Sequence, residues 1–177
     1  MMLNNMKISS RLMFLLALLL VLLTALGGLG LYDSSQVNNA LQSVYENRLI
    51  PLGQLDVINE RALHNRVAII NATTNPEKAE KYRQEMEENI ALINKNVDEY
   101  MSSYHTPEEK TLAEAMLVAR KRYAEEALKP AMELMQKGDV AQLKLHTEQK
   151  VRTLYYELKP LLEQLVELQK REAKKLH

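Results

Sequence analysis

The chain is 177 residues long and carries 23 lysines and arginines against 23 aspartates and glutamates, a formal net charge of zero at pH 7. It has no cysteine, which excludes a disulfide scaffold, a thiol nucleophile and thiolate metal ligation. Lys7 and Arg11 supply the basic charge of the first 32 residues, so the remainder is slightly acidic, a balance that argues against a nucleic-acid partner.

Residues 12–31, LMFLLALLLVLLTALGGLGL, form a run of twenty without a charge. As a helix this run is long enough to cross a hydrocarbon core of about 30 Å. A cleaved signal peptide is the alternative, with Ala25 to Gly27 as a small-residue cleavage site. The run, however, continues through Leu31 to an interface-type Tyr32, beyond the roughly 7 to 15 residues of a signal-peptide core, which favours an anchor. Lys7 and Arg11 precede the span and Asp33 and Glu46 follow it, so the N-terminus is expected on the cytoplasmic side. The expected division is a stub over 1–11, a transmembrane helix over 12–32 and an extracytoplasmic domain over 33–177.

Beyond Tyr32 every stretch reads as helix. The first helix is expected to run to about Thr74, with a kink at Pro51, which cannot donate its i to i−4 bond. Its stretch INERALHNRVAIINATTNP holds Arg61 and Arg66 among Leu63, Val67, Ile69 and Ile70, in what otherwise resembles a buried helix. Asn75 as N-cap and Pro76 in the first turn restart the chain as a second helix, to about Ser103. That helix places Met86, Ile90, Ile93, Val97 and Tyr100 at alternating spacings of four and three, the period of a bundle seam.

Thr106, Pro107 and Glu109 form a capping box that opens a third helix, to Lys137. Gly138 is its expected C-cap and Asp139 the next N-cap. The fourth helix carries Val151, Leu154, Leu158, Leu161, Leu165 and Leu168 as its seam. Pro130 and Pro160 should bend the third and fourth helices. Four long helices with short connections pack as antiparallel neighbours, so the fold class is all-α, an up-down-up-down four-helix bundle.

Enzyme signatures are missing. His64, His105, His146 and His177 never fall three or four residues apart, and no Glu-x-x-His occurs, so zincin and di-iron chemistry are unsupported. No haem-attachment motif, phosphate loop or nucleophile elbow is present. No catalysis, metal or cofactor is therefore expected.

What stands out is a set of polar groups at one depth. Counted from the tip formed by the helix 1–2 and helix 3–4 turns, Arg61, Arg66, Arg120, Tyr123, Arg152, Tyr155 and Tyr156 fall in a slab about 12 to 27 Å down, at 1.5 Å per residue. Arginine offers paired donors to a carboxylate and tyrosine a hydroxyl and a ring edge, so the group suits a small organic anion. The plain alternative is that each arginine lies on a solvated flank and pairs with Glu60, Glu125, Glu126 or Glu148. Arg61 and Arg66 are about 140° apart around one helix and cannot easily grip one small anion together. Arg61 of one copy and Arg66 of another could converge across a two-fold axis, or Arg61, Arg120, Tyr123, Arg152 and Tyr156 could act within one subunit.

The layout of stub, span and bundle, with NRLIPLGQLDVIN, RKRY, GD and LKPLLEQLVELQKREA, resembles the four-helix-bundle ligand-binding domain of bacterial methyl-accepting chemotaxis receptors from Met6 to Lys175. The resemblance implies a homodimer through helix 1, anchored in the bacterial inner membrane with its sensor domain in the periplasm. It also implies a ligand held between subunits by helix 1 arginines, to which Arg61 and Arg66 correspond, and by helix 4 residues. Ile70 occupies the position of a third arginine, so the amino-acid-sensing pattern is incomplete. No second span or methylated cytoplasmic hairpin follows, so the chain is expected to be a receptor fragment, with a histidine kinase or cyclic-dinucleotide enzyme as other possible carriers of such a module. A membrane-anchored interaction bundle without a small ligand is the reading of a different class.

Overall fold

The computed structural model describes residues 8–103 and 106–175, with side chains described in the first helix at 9, 12–28 and from 36 onward. The chain divides into two compact units, Met1–Ser43 and Val44–His177.

The first unit is built on α1 (Ile8–Val44). Its described leucines from Leu12 to Leu26 are exposed. Among the described residues no helix is long and apolar enough to cross a membrane. The expected span of 12–32 extends past Gly28 into residues whose side chains lie outside the description, as do Lys7, Arg11, Tyr32, Asp33, His105 and His177.

The second unit is all-α among its described residues and consists of four helical rods. A π turn (Tyr45–Leu49) leads into α2 (Ile50–Thr74), the first rod. A 3-10 turn (Pro76–Lys78) and α3 (Ala79–Ser102) form the second. The third comprises α4 (Pro107–Arg122), a second π turn (Tyr123–Leu128) and α5 (Lys129–Lys137). The fourth comprises α6 (Val140–His146), a third π turn (Thr147–Val151) and α7 (Arg152–Lys174).

Cross-rod bonds establish the directions. Gln54 reaches Glu99 while Arg61 reaches Asn89, so α2 and α3 run antiparallel. Arg171 reaches Glu108 and Lys150 reaches Glu126, so the third and fourth rods do too. Arg48 reaches Gln169 while Arg66 lies on Tyr155, which makes the first and fourth rods antiparallel neighbours. The result is an up-down-up-down bundle.

Its core is a set of heptad seams. On the first rod Arg48, Pro51, Leu55, Ile58, Ala62, Asn65, Ile69 and Ala72 are buried at spacings alternating three and four, with Ala68 buried beside Ile69. Leu63, Val67 and Ile70, expected to pack around the two arginines, fall off this seam and are 41, 43 and 39% exposed. On α7 the seam runs Leu154, Leu158, Leu162, Leu165 and Leu168, with Leu162 buried where Leu161 was expected and Leu161 packing only from the side.

The helix ends show which local signals act. Thr106 caps α4 by accepting the Glu109 N–H at 3.2 Å, and Asp139 caps α6 by accepting the Gln142 N–H at 3.0 Å. Gly138 takes φ 67° and closes α5 with Gly138 N–H to Met135 O and Asp139 N–H to Leu134 O, both 3.1 Å. Asn75 stands at the expected boundary but makes no side-chain cap; its amide turns back to Asn71 O and Thr74 Oγ1. Pro51 and Pro130 are each the second residue of a helix that follows a π turn. The backbone accommodates their missing donors by widening the preceding turn. Pro160 lies inside α7, which continues through it.

Candidate functional site

The seven residues of the arginine and tyrosine slab do not form one group. Seam geometry sorts them, because Arg61 stands just before seam position Ala62 and Arg66 just after Asn65. The two guanidinium groups therefore lie on opposite flanks of α2.

Arg61 faces α3. Its Nη1 lies 3.5 Å from Asn89 Oδ1 and 3.4 Å from His64 Nδ1, and its Nη2 lies 3.7 Å from a Glu60 carboxylate. These groups border a polar groove of about 240 Å³ between α2 and α3 that also takes in Glu85 and Glu88. Arg120, on α4, likewise turns to α3 and donates to Asn94 Oδ1 at 2.6 Å. Burial lowers its pKa, partly offset by Asp98 nearby. The cavity beside it measures only about 30 Å³, room for about two waters and too little for an organic anion. Arg152 points to solvent and pairs with Glu148 at 3.6 Å. Its position two residues before the seam residue Leu154 directs it outward, so it takes no part in the slab.

The other four residues converge. Arg66 sits with its guanidinium carbon 5.2 Å from the ring centroids of both Tyr155 and Tyr156. Those rings meet edge to face at 5.6 Å, and Tyr155 stands 6.0 Å from the buried ring of Tyr123. Tyr155 is buried by α7, whereas Tyr156, one position on, is 52% exposed. Tyr123 opens the second π turn, and its hydroxyl is buried without a hydrogen-bond partner. Burial pushes the Tyr123 hydroxyl well above the usual phenol range, reinforced by Tyr155 and opposed by Arg66. Burial raises Tyr155 as well. Arg66 makes no hydrogen bond or ion pair among the described residues. Arg66 and the Tyr123 hydroxyl thus lie on either side of Tyr155, both donors and neither with an acceptor among the described residues.

Beside Arg66 on the seam, Asn65 is fully buried and neither atom of its amide has a partner. Unsatisfied buried polar groups are rare enough that each needs a reason. The signal for Asn65 in the sequence is its seam position alone, three residues after Ala62 and four before Ile69.

A second polar assembly also occupies inward-facing positions. Arg48, Tyr100, Glu109 and Gln169 are buried together, none more than 7% exposed. Glu109 accepts from the Tyr100 hydroxyl at 2.7 Å, from Gln169 Nε2, and from Arg48 Nη1 at 3.4 Å. Arg48 Nη1 also donates to Gln169 Oε1 at 3.2 Å. Burial, followed by the Glu109 carboxylate, pushes the Tyr100 hydroxyl far up. The expected capping box is corrected here: the Glu109 side chain turns into the core toward Tyr100, Gln169 and Arg48, which outcompete its own helix start.

Against known families, residues 5–177 match the model described as a four helix bundle sensory module for signal transduction. Neither the curated proteins nor the solved structures contain a match. A seamed antiparallel bundle matched over nearly its whole length establishes the assignment. The chain belongs to the four-helix-bundle sensory modules of chemotaxis receptors, a family of signalling domains.

Proposed function

We propose that this module senses a small organic anion outside the cytoplasm, with Arg66 and the Tyr123, Tyr155 and Tyr156 side chains as its receiving group. The observation that supports the reading is that, among the described residues, the buried Tyr123 hydroxyl has no hydrogen-bond partner and Arg66 beside the same ring has no ion pair. A carboxylate would satisfy both, and the faces of Tyr155 and Tyr156 would cover its apolar part. Arg61, Arg120 and Arg152 stand on other faces and carry less of the binding.

The exposed stripe of Leu63, Val67 and Ile70 favours a homodimer through α2, because an apolar row at heptad spacing on one helix is covered by its own copy across a two-fold axis. Tyr156 and Arg66 lie on the α7 side of that row. The exposed leucines of α1 and the uncharged run of 12–31 favour an inner-membrane anchor, with Lys7 and Arg11 inside and the bundle in the periplasm.

Ligand binding is tested by thermal unfolding of the full chain in detergent against di- and tricarboxylates, aromatic acids and amino acids. A ligand present at 100 times its dissociation constant should add about 2.7 kcal/mol of stability. If no carboxylate raises the melting temperature, the anion reading fails.

A further inference from the structure

We propose that Gln169 is the register pin of α7: its two hydrogen bonds into the buried Glu109 and Arg48 pair hold the last helix at one height against the first and third rods.

The inward face of α7 is otherwise apolar, made of Leu154, Tyr155, Leu158, Leu162, Leu165 and Leu168. From Leu158 to Leu168 it presents the same side chain layer after layer, which penalises a small slide weakly, since each leucine remains among apolar neighbours. A buried polar side chain behaves differently, because its partners occupy one place only. Among the described residues of α7, Gln169 is the single buried polar side chain. Its Nε2 donates to Glu109 on the first turn of α4, and its Oε1 accepts from Arg48 on the first π turn. Tyr100, from the end of α3, holds the other side of Glu109 at 2.7 Å.

All four rods meet at this cluster. Glu109, Arg48 and Tyr100 remain bonded to one another if α7 moves, whereas both bonds of Gln169 are lost. The exposed pairs Arg171–Glu108 and Arg122–Glu157 can follow a slide of about 1 to 2 Å, the size seen for helix shifts at interfaces, so the buried threshold lies at this amide. The link to signalling rests on the sensor reading, but the pin itself does not depend on any ligand.

The test uses the full chain, which has no native cysteine to compete with labels. Spin labels at Asp56→Cys on α2 and Thr153→Cys on α7, both exposed and offset along the axis by about ten residues, or about 15 Å, report the height of one helix against the other. With Gln169 present, pulsed dipolar spectroscopy should give one narrow distance. Gln169→Met, which retains length and loses both bonds, should broaden it or add a population displaced by about 1 to 2 Å. Gln169→Asn, too short to reach, should do the same and serves if the methionine variant does not fold. Thr106→Ala, which weakens the start of α4 and leaves both partners of Gln169 in place, should retain the single distance. An unchanged single distance in the Gln169 variants, even with a lower melting temperature, overturns the proposal. So does equal broadening in Thr106→Ala. Because no ligand is added, failure here leaves the anion reading standing, and failure of that reading leaves the pin standing.

Discussion

Arg61 and Arg66, five residues apart on α2, address different helices: Arg61 lies against Asn89 of α3, and Arg66 lies over Tyr155 of α7. One seam position separates each from the core, on opposite sides, so the two guanidinium groups should differ in their effect on binding. Arg66→Ala should weaken a carboxylate ligand by about 10- to 100-fold, the worth of a hydrogen bond to a charged group. Arg61→Ala should change affinity by less than about threefold, within the small effect of a solvated charge. Calorimetric titration of both variants with whichever anion raises the melting temperature separates them, and equal losses would place the ligand across the two-fold axis.

Removing the Tyr123 hydroxyl should move stability and affinity in opposite directions. That hydroxyl is buried and unpartnered, so Tyr123→Phe should leave the free protein equally stable or more stable by about 1 kcal/mol. Ligand affinity should fall at the same time by about tenfold, through loss of one donor. A variant that loses stability and retains affinity would remove Tyr123 from the site.

High pH supplies a third expectation. The Tyr100, Tyr123 and Tyr155 hydroxyls all have pKa values raised above the ordinary 10.0, chiefly by burial. A raised folded-state pKa means that the neutral form is favoured by folding. The stabilisation is complete below pH 10 and is lost as pH climbs above the unfolded value toward the folded one. Melting temperature should accordingly fall above about pH 10, and the fall should be shallower in Tyr123→Phe. Thermal scans from pH 8 to 12 would show it.

Glu109→Ala should be among the most damaging single changes, by about 3 to 5 kcal/mol, because it removes the buried carboxylate shared by Arg48, Tyr100 and Gln169. Thr106→Ala removes only the cap on the same helix turn and should cost about 1 kcal/mol. Urea unfolding of the two variants compares them directly.

The helix positions, caps and antiparallel order were legible because they depend on local rules: periodicity, Thr106 and Asp139 as caps, Gly138 as an αL residue. The division of the slab was legible in principle and was missed. Depth along the axis brings Arg152 level with Tyr155, but rotation about the axis decides contact, and extending the seam would have turned Arg152 outward. The same extension reaches Arg48 seven residues before Leu55, and Glu109 four before Ala113. The sequence gives no sign that those polar positions are buried, because charge alone, without a partner from a distant rod, argues for solvent. The third π turn, at Thr147–Val151, has no proline beside it and no signal in the sequence.

The π turns have a consequence for how the chain tolerates length changes. Each is an α-helix carrying one residue more than its phase requires. Deleting one residue within Tyr123–Leu128 should let the turn relax to α-helical winding while the flanking seams stay in place. Deleting one residue from the regular winding of α4 would instead rotate everything after it by about 100° and carry Ala127, Leu128 and Ala131 out of the core. The three wide turns are thus the places where insertions and deletions can be absorbed without altering which side chains face inward.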